Sequence, residues 1–142
     1  ITVNCANFPE QMLENELCGH EKGAFTDAKE VKKGLLEVAD KGTLFLDEIG
    51  DMNLNLQGKI LRLVEQKTFR RIGGLKDIQV EVRIITATNK DLLKLKEESK
   101  FREDLFYRIN VASIRIPPLR ERPEDILPLA KYFMQKYNEE FH

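Results

Sequence analysis

Asp47 and Glu48 stand side by side at the end of an apolar run, Thr43-Leu44-Phe45-Leu46. A run apolar at successive positions reads as a strand covered on both faces, and its carboxyl end is the edge where α/β sheets bind ligands. Two carboxylates there can divide the work of a hydrolase: one holds a divalent cation and the other polarises a water molecule for attack. Neighbouring strand positions point to opposite faces, so the two acids need not crowd one site. The alternative is a solvated acidic turn that caps the next helix.

In P-loop nucleotide hydrolases such an acid pair accompanies G-x-x-x-x-G-K-[ST], whose amides cradle phosphate and whose lysine reaches the outer phosphates. That pattern does not occur between Ile1 and His142. Gly58-Lys59 comes nearest, but Ile60 follows where a hydroxyl is needed, Asn53 takes the first glycine position, and the segment reads as helix. Cys5 and Cys18 lack the two-residue spacing of zinc or redox pairs, and His20 has no accompanying ligand set, so both cysteines read as reduced thiols.

The elements that must position the acids alternate in type. Ile1-Thr2-Val3-Asn4 reads as a buried strand already under way, as in an excised piece of a longer chain. A short helix over Pro9–Leu17 stops at Gly19, and the polar, glycine-containing stretch 19–28 is an exposed excursion. Lys33–Ala39 is a short amphipathic element before the turn Asp40-Lys41-Gly42. Leu56, Ile60, Leu63 and Val64 predict a helix over Asn55–Gln66, and Gly73-Gly74 marks a loop. Val80–Thr88 predicts the next strand, Phe101, Leu105 and Ile109 a further helical face, and Val111–Ile116 a strand stopped by Pro117-Pro118. A last helix follows Pro123, with Pro128 tolerable only in its first turn. Strands alternating with helices predict an α/β domain with a mostly parallel sheet.

Composition sets the outer bounds. Hydrophobic residues at 42% and charged residues at 33% suit a folded domain rather than a disordered one. With 23 Lys and Arg against 24 Asp and Glu, the net charge of −1 offers no excess cation for a polyanion, so direct DNA binding by this segment is not expected. No apolar run approaches the ~20 residues that cross a bilayer and no signal-peptide pattern opens the chain, so a cytoplasmic location without membrane contact is expected.

The stretch Glu16-Leu17-Cys18-Gly19-His20-Glu21-Lys22-Gly23-Ala24-Phe25-Thr26-Asp27-Ala28 resembles the signature surface loop of sigma-54-dependent transcription activators, a branch of the AAA+ ATPases, in which the last six positions usually read GAFTGA. The similarity continues through Gly42–Met52, Arg71-Ile72-Gly73-Gly74, Thr86-Ala87-Thr88-Asn89, Phe101–Arg108 and Pro117–Arg122, in the family's order and over nearly the whole chain. It implies a three-layer α/β/α AAA+ core over residues 1–122, here without its P-loop strand, and the start of a helical lid over 123–142. It also implies that Asp47 coordinates magnesium, that Glu48 orients the hydrolytic water, and that Asn4 hydrogen-bonds that glutamate and relays the nucleotide state to the surface loop. Thr88 and Asn89 match a polar sensor of the terminal phosphate; a plain helix cap before Asp91 is the other reading.

Arg102 and Arg108 match arginines that reach a neighbouring subunit's nucleotide. Six residues apart, they lie roughly 120° from one another on a regular helix, so both can serve one phosphate only if the helix ends between them; otherwise one holds an ion pair with Glu103 or Asp104. Gly23, Ala24, Phe25, Thr26, Asp27 and Ala28 would contact the sigma factor, with Phe25 and Thr26 at the tip, and Arg71 and Ile72 would form a second loop that moves with the first, unless they belong to a plain hairpin. Asp27 stands where the family has glycine, adding charge at a position that can require positive φ. The implied activity is ATP hydrolysis, with Mg2+, in a ring of copies that pushes on sigma-54 factor bound to RNA polymerase, often under a response-regulator domain. Without a phosphate-binding loop, residues 1–142 alone are expected to bind nucleotide weakly or not at all, and a non-catalytic sigma-factor or subunit interaction module is the competing reading.

Overall fold

Val3 is buried while its neighbours are not, and Thr2–Asn4 forms a short strand, β1. Pro9 precedes helix α1 (Glu10–Cys18), whose Leu13 and Leu17 turn inward, and Gly19 closes it at φ 68°, a conformation glycine adopts without a Cβ penalty. Strands β2 (Gly19–His20) and β3 (Lys32–Lys33) pair antiparallel at the root of the surface loop. Then come α2 (Leu35–Val38), β4 (Thr43–Asp47) and α3 (Leu54–Gln66), which Asn53 caps by accepting a hydrogen bond from the Leu56 N–H at 2.8 Å. A hairpin of β5 (Thr68–Phe69) and β6 (Ile78–Gln79) leads to β7 (Arg83–Thr86), α4 (Leu92–Glu97) and α5 (Glu103–Ile109). The last helix is α6 (Ile126–Phe141), with Pro128 in its first turn as expected.

This computed structural model describes residues 1–141, and the chain divides into two compact units between Val111 and Ala112. The first unit holds a three-stranded sheet in the order β1-β4-β7, parallel throughout. Thr2 lies opposite Phe45 and Asn4 opposite Asp47, while Leu46 lies opposite Thr86, so all three strands end at the same edge. Leu44 and Leu46 have no exposed surface and join Leu17, Leu36, Ile60, Leu63 and Leu105 in one core. Burying side chains of that size contributes ~1.5–3 kcal/mol each. In the second unit, Phe133, Tyr137 and Phe141 stack along α6 at 6.2 Å spacings, as side chains four residues apart do. No helix among the described residues is long and apolar enough to cross a membrane.

The expected α/β class and parallel sheet are present, with two strand corrections. The strand expected over Val80–Thr88 is laddered only at Arg83–Thr86, because the chain turns off before it: the Val80 N–H donates to the Lys67 carbonyl at 2.9 Å and the Glu81 N–H to Asp40 Oδ1 at 2.8 Å. β7 pairs with β4 alone, and Ile85 on it is 41% exposed. The strand expected over Val111–Ile116 is absent; this stretch has no ladder partner among the described residues, and Val111, Ile114 and Ile116 are exposed. A strand exists only where a neighbour accepts its backbone hydrogen bonds, whatever its β propensity.

Candidate functional site at the carboxyl edge of the sheet

Parallel register brings Asn4, Asp47 and the exit of β7 together. Asn4 Nδ2 donates to Asp47 Oδ2 at 3.2 Å, and the Glu48 N–H donates to Asp47 Oδ1 at 3.0 Å, so both oxygens of Asp47 are held. Glu48 has left the strand: its φ of 53° is left-handed, and it begins a single 3-10 turn over Ile49–Asp51. That backbone carries its carboxylate across β7, where Oε2 accepts from the Asn89 N–H at 3.2 Å and Oε1 from Asn89 Nδ2 at 3.1 Å.

The acids therefore diverge, though by a turn after β4 rather than by strand alternation. The expected bond from Asn4 to Glu48 is not made; Asn4 is opposite Asp47 in register and bonds to it, while the left-handed turn delivers Glu48 to Asn89. Thr88 Oγ1 accepts from the Lys90 N–H at 3.1 Å and packs over Gly50, where an added Cβ would come within 2.9 Å of it. The Ile49 N–H to Ala87 carbonyl bond of 3.0 Å and a Lys90–Asp51 ion pair pin the turn to the end of β7.

Among the described residues neither Asp47 nor Glu48 has a cationic partner, and no three His, Cys, Asp or Glu side chains converge as a self-sufficient metal cage. Asp47, standing apart from Glu48, suits a cation that would take most of its ligands from water and phosphate, as magnesium does. Their field is felt at Cys5: burial, then Asp47, Asp51 and Glu48, push its thiol up to about 11. Burial does the same for Cys18, and both cysteines are free.

Arg102 lies just before α5 in extended backbone, so helical spacing does not tie it to Arg108. Its guanidinium grips Asp104 at two points, Nε to Oδ1 at 3.0 Å and Nη2 to Oδ2 at 2.6 Å, which is the ion-pair reading for one of the two arginines. Arg108 lies 3.8 Å from Glu65, with both side chains about half exposed. Among the described residues neither arginine is bonded to Asp47 or Glu48.

The surface loop is folded back on itself. The Gly23 N–H donates to the Ala28 carbonyl at 2.8 Å and the Ala28 N–H to the Phe25 carbonyl at 3.0 Å, burying Ala28 while Thr26 and Asp27 stay exposed. Phe25 is 44% exposed and packs edge-on against His20 at 4.8 Å. Asp27 does not occupy the positive-φ region, so aspartate in place of the family's glycine brings no backbone strain here.

Arg71 and Ile72 sit in the hairpin that joins β5 to β6 and also bind the first loop. Arg71 donates to Glu37 through Nε and Nη2, each at 2.7 Å, and to Glu21 through Nη1 at 2.9 Å. The hydrogen bond from Arg71, with its charge, holds the Glu37 carboxyl below the usual carboxylate range. The Ile72 N–H donates to the Gly19 carbonyl and the Glu21 N–H to the Ile72 carbonyl, both at 3.0 Å. A cavity of about 300 Å³ opens beside this hairpin rather than at the acid edge. Its cations are matched: Lys59 pairs with Glu14, Arg62 and Arg70 share Asp77, and Arg71 takes Glu21 and Glu37.

Sequence reasoning missed Glu21, Glu37 and Gln57. Gln57 had a readable signal, since it falls at i, i+3 and i+7 with Ile60 and Val64 on the inward face of α3. The partners of Arg71 are distant in sequence and had none.

The Sigma-54 interaction domain family matches residues 1–115. Regulatory protein AtoC of Escherichia coli (strain K12) is 56% identical over 140 residues, covering 99% of this chain and 30% of AtoC. Nitrogen fixation protein AnfA of Azotobacter vinelandii is 49% identical over 140 residues, 99% of this chain and 26% of AnfA. Among solved structures, NtrX from Brucella abortus in complex with ATP is 41% identical, with a TM-score of 0.87 over 99% of this chain and 30% of that one. NtrX in complex with ADP gives a TM-score of 0.85 over 96% of this chain and 29% of that one. The chain thus spans under a third of the length of these relatives.

Proposed function

This chain belongs to the Sigma-54 interaction domain family, and on that premise we propose that it is the ATP-hydrolysing core of a sigma-54-dependent transcription activator. The observation that carries the reading is the convergence of Asn4, Asp47, Glu48 and Asn89 on one sheet edge, joined by hydrogen bonds, with Thr88 next to Asn89. In this reading Asp47 would hold magnesium, and Thr88 and Asn89 would sense the terminal phosphate. Bound magnesium-ATP would supply the phosphoryl group and neutralise its developing charge. Asn4 and the Glu48 N–H keep Asp47 aimed by bonding both its oxygens. Glu48 is the base that orients water. Its two bonds from Asn89 hold the carboxylate at the exit of β7 and use one acceptor site on each oxygen, which leaves a second site on each for a water.

Arg102 and Arg108 are the guanidinium groups that one copy offers to the next in a ring, which requires Arg102 to exchange Asp104 for phosphate. Phe25 and Thr26 present the loop to sigma-54 factor on RNA polymerase, and Arg71 with Ile72 moves with it. Residues 123–142 begin the lid. With a net charge of −1, this segment is not the DNA-contacting part.

The test is phosphate release by the full-length natural protein carrying these residues. Glu48→Gln is expected to lower turnover by ~100-fold, about 2.7 kcal/mol of barrier, with ATP affinity kept. Loss of affinity and turnover together, or no loss at all, would remove Glu48 from its role. One observation favours a second reading for residues 1–142 by themselves: they contain no G-x-x-x-x-G-K-[ST]. On their own they would act as a sigma-factor or subunit binding module through Phe25 and Thr26, and calorimetric titration with ATP should give no heat.

A further inference from the structure

Gln57 is the one fully buried polar side chain among the described residues, with 0% of its surface exposed. It sits within α3, on the face that packs into the core, where an amide is costly unless its hydrogen bonds are made. They are made. Nε2 donates to the Met52 carbonyl at 2.7 Å and to the Lys100 carbonyl at 3.1 Å, and Oε1 accepts from the Arg102 N–H at 2.8 Å. Reversing the amide would set its oxygen against two carbonyls and its NH2 against an N–H, so the three partners fix one orientation.

Those partners come from three segments of the proposed site. Met52 ends the turn that begins at Glu48, its N–H donating to the Ile49 carbonyl at 3.1 Å. Lys100 follows α4, the helix entered directly from Thr88 and Asn89 through the cap at Asp91. Arg102 is the residue before α5, in extended backbone with φ −70° and ψ 132°, and no side chain of its own caps that helix. Gln57 thus holds the backbone from which the Arg102 side chain projects, while the guanidinium itself is bonded to Asp104.

We propose that Gln57 is a positioning residue that registers Arg102 against the turn bearing Glu48, so that the arginine one copy offers stands at a fixed place relative to that copy's own acid pair. The inference rests on the reading of Arg102 as a group acting on a neighbour's nucleotide. Gln57 touches no reacting atom and acts only through Arg102.

The distinguishing experiment is complementation in the full-length natural protein. Gln57→Met keeps length and volume but leaves the Met52, Lys100 and Arg102 backbone groups unpaired. It should lower kcat for ATP at least ~10-fold, with KM changed less than about twofold. Mixed with Glu48→Ala subunits, which have no base but an intact Arg102, it should form rings several-fold more active than either variant alone. A damaged fold gives no such recovery. Gln57→Glu keeps the acceptor for the Arg102 N–H at the cost of a buried acid, so it should be more active than Gln57→Met while melting no higher; if the Met variant fails to fold, Gln57→Glu is compared with the wild type instead, and should keep more than about a tenth of wild-type kcat despite a lower melting temperature. Wild-type turnover by Gln57→Met, absence of recovery in mixed rings, or activities that simply follow melting temperature would overturn the proposal. Arg102→Ala mixed with Glu48→Ala is the control. If that pair recovers and the Gln57 pair does not, only Gln57 loses its role; if neither recovers, the reading of Arg102 fails and this inference goes with it.

Discussion

Where the parallel strands end, Asn4, Asp47 and Asn89 are placed by a backbone ladder resting on Leu44 and Leu46, neither with any exposed surface. Where the surface loop meets the second loop, placement depends on the Arg71 guanidinium, the carboxylates of Glu21 and Glu37, and two backbone hydrogen bonds through Ile72. The first region stands on apolar burial at ~1.5–3 kcal/mol per side chain, the second on partly exposed charge contacts that are individually weaker. A site that must aim two acids needs the stiffer support. A loop that must move between two arrangements needs contacts whose loss costs little, because a ligand shifts an equilibrium only by its differential affinity.

The largest break in this comparison comes from beneath the acid edge. Leu46→Ala removes a fully buried side chain one residue before Asp47 and should lower the stability of the chain by ~2–5 kcal/mol in urea titration. Amide exchange should quicken from Asp47 through Ile49. A loss under ~1 kcal/mol would mean that the edge does not rest on this core.

A smaller break is expected on the loop side. Gly73 has φ 72°, and a Cβ there would lie 2.8 Å from the Ala24 Cβ, so Gly73→Ala combines backbone strain with a clash between the loops. It should cost ~1–3 kcal/mol, most of it local. The two thiols tell the sides apart, because Cys5 is joined to Asp47 through its N–H and Cys18 ends the helix leading into the surface loop. Both are buried, free and raised to about 11, so neither should react with a thiol reagent at pH 7.5 while the chain is folded. Gly73→Ala should hasten labelling of Cys18 before Cys5, and Leu46→Ala should hasten both. Equal acceleration in the Gly73 variant would show the loops to be as tightly built in as the edge.

The same contrast explains what could be read in advance. The acid pair was legible because an apolar run that ends in Asp47-Glu48 reads as a strand whose carboxyl end is a ligand-binding edge, whereas Asn4, Thr88 and Asn89 entered only through the family resemblance. The Asn4 partner was not legible, since the left-handed turn at Glu48 has no signal in Asp47-Glu48-Ile49 beyond the acids themselves. Val111–Ile116 has strand propensity but no partner to pair with, and propensity alone makes no ladder. In the loops, the glycines and the exposed Phe25 were visible as types, while the Arg71 contacts depend on charges 34 and 50 residues away in sequence.

The smallest expected effect is a pH dependence confined to the loop side. Arg71 donates two hydrogen bonds to Glu37, whose pKa is thereby lowered from an ordinary value of 4.5. A carboxyl whose folded pKa is depressed contributes stability that is fully present above its unfolded pKa and is lost as pH falls through the folded one. Acidification below about 4.5 should therefore loosen the contact between Arg71 and α2, by ~1 kcal/mol or less for a pair near the surface. The readout is proteolysis of the loop over residues 20–28, which should quicken as pH falls with an acid-stable protease. Glu37→Gln should already be loose at pH 7 and should lose that slope, since a neutral amide keeps neither the charge nor the linkage. If Glu37→Gln retains the full wild-type slope, another carboxylate holds the loops together, and Glu21, the second acceptor of Arg71, is the group to substitute next.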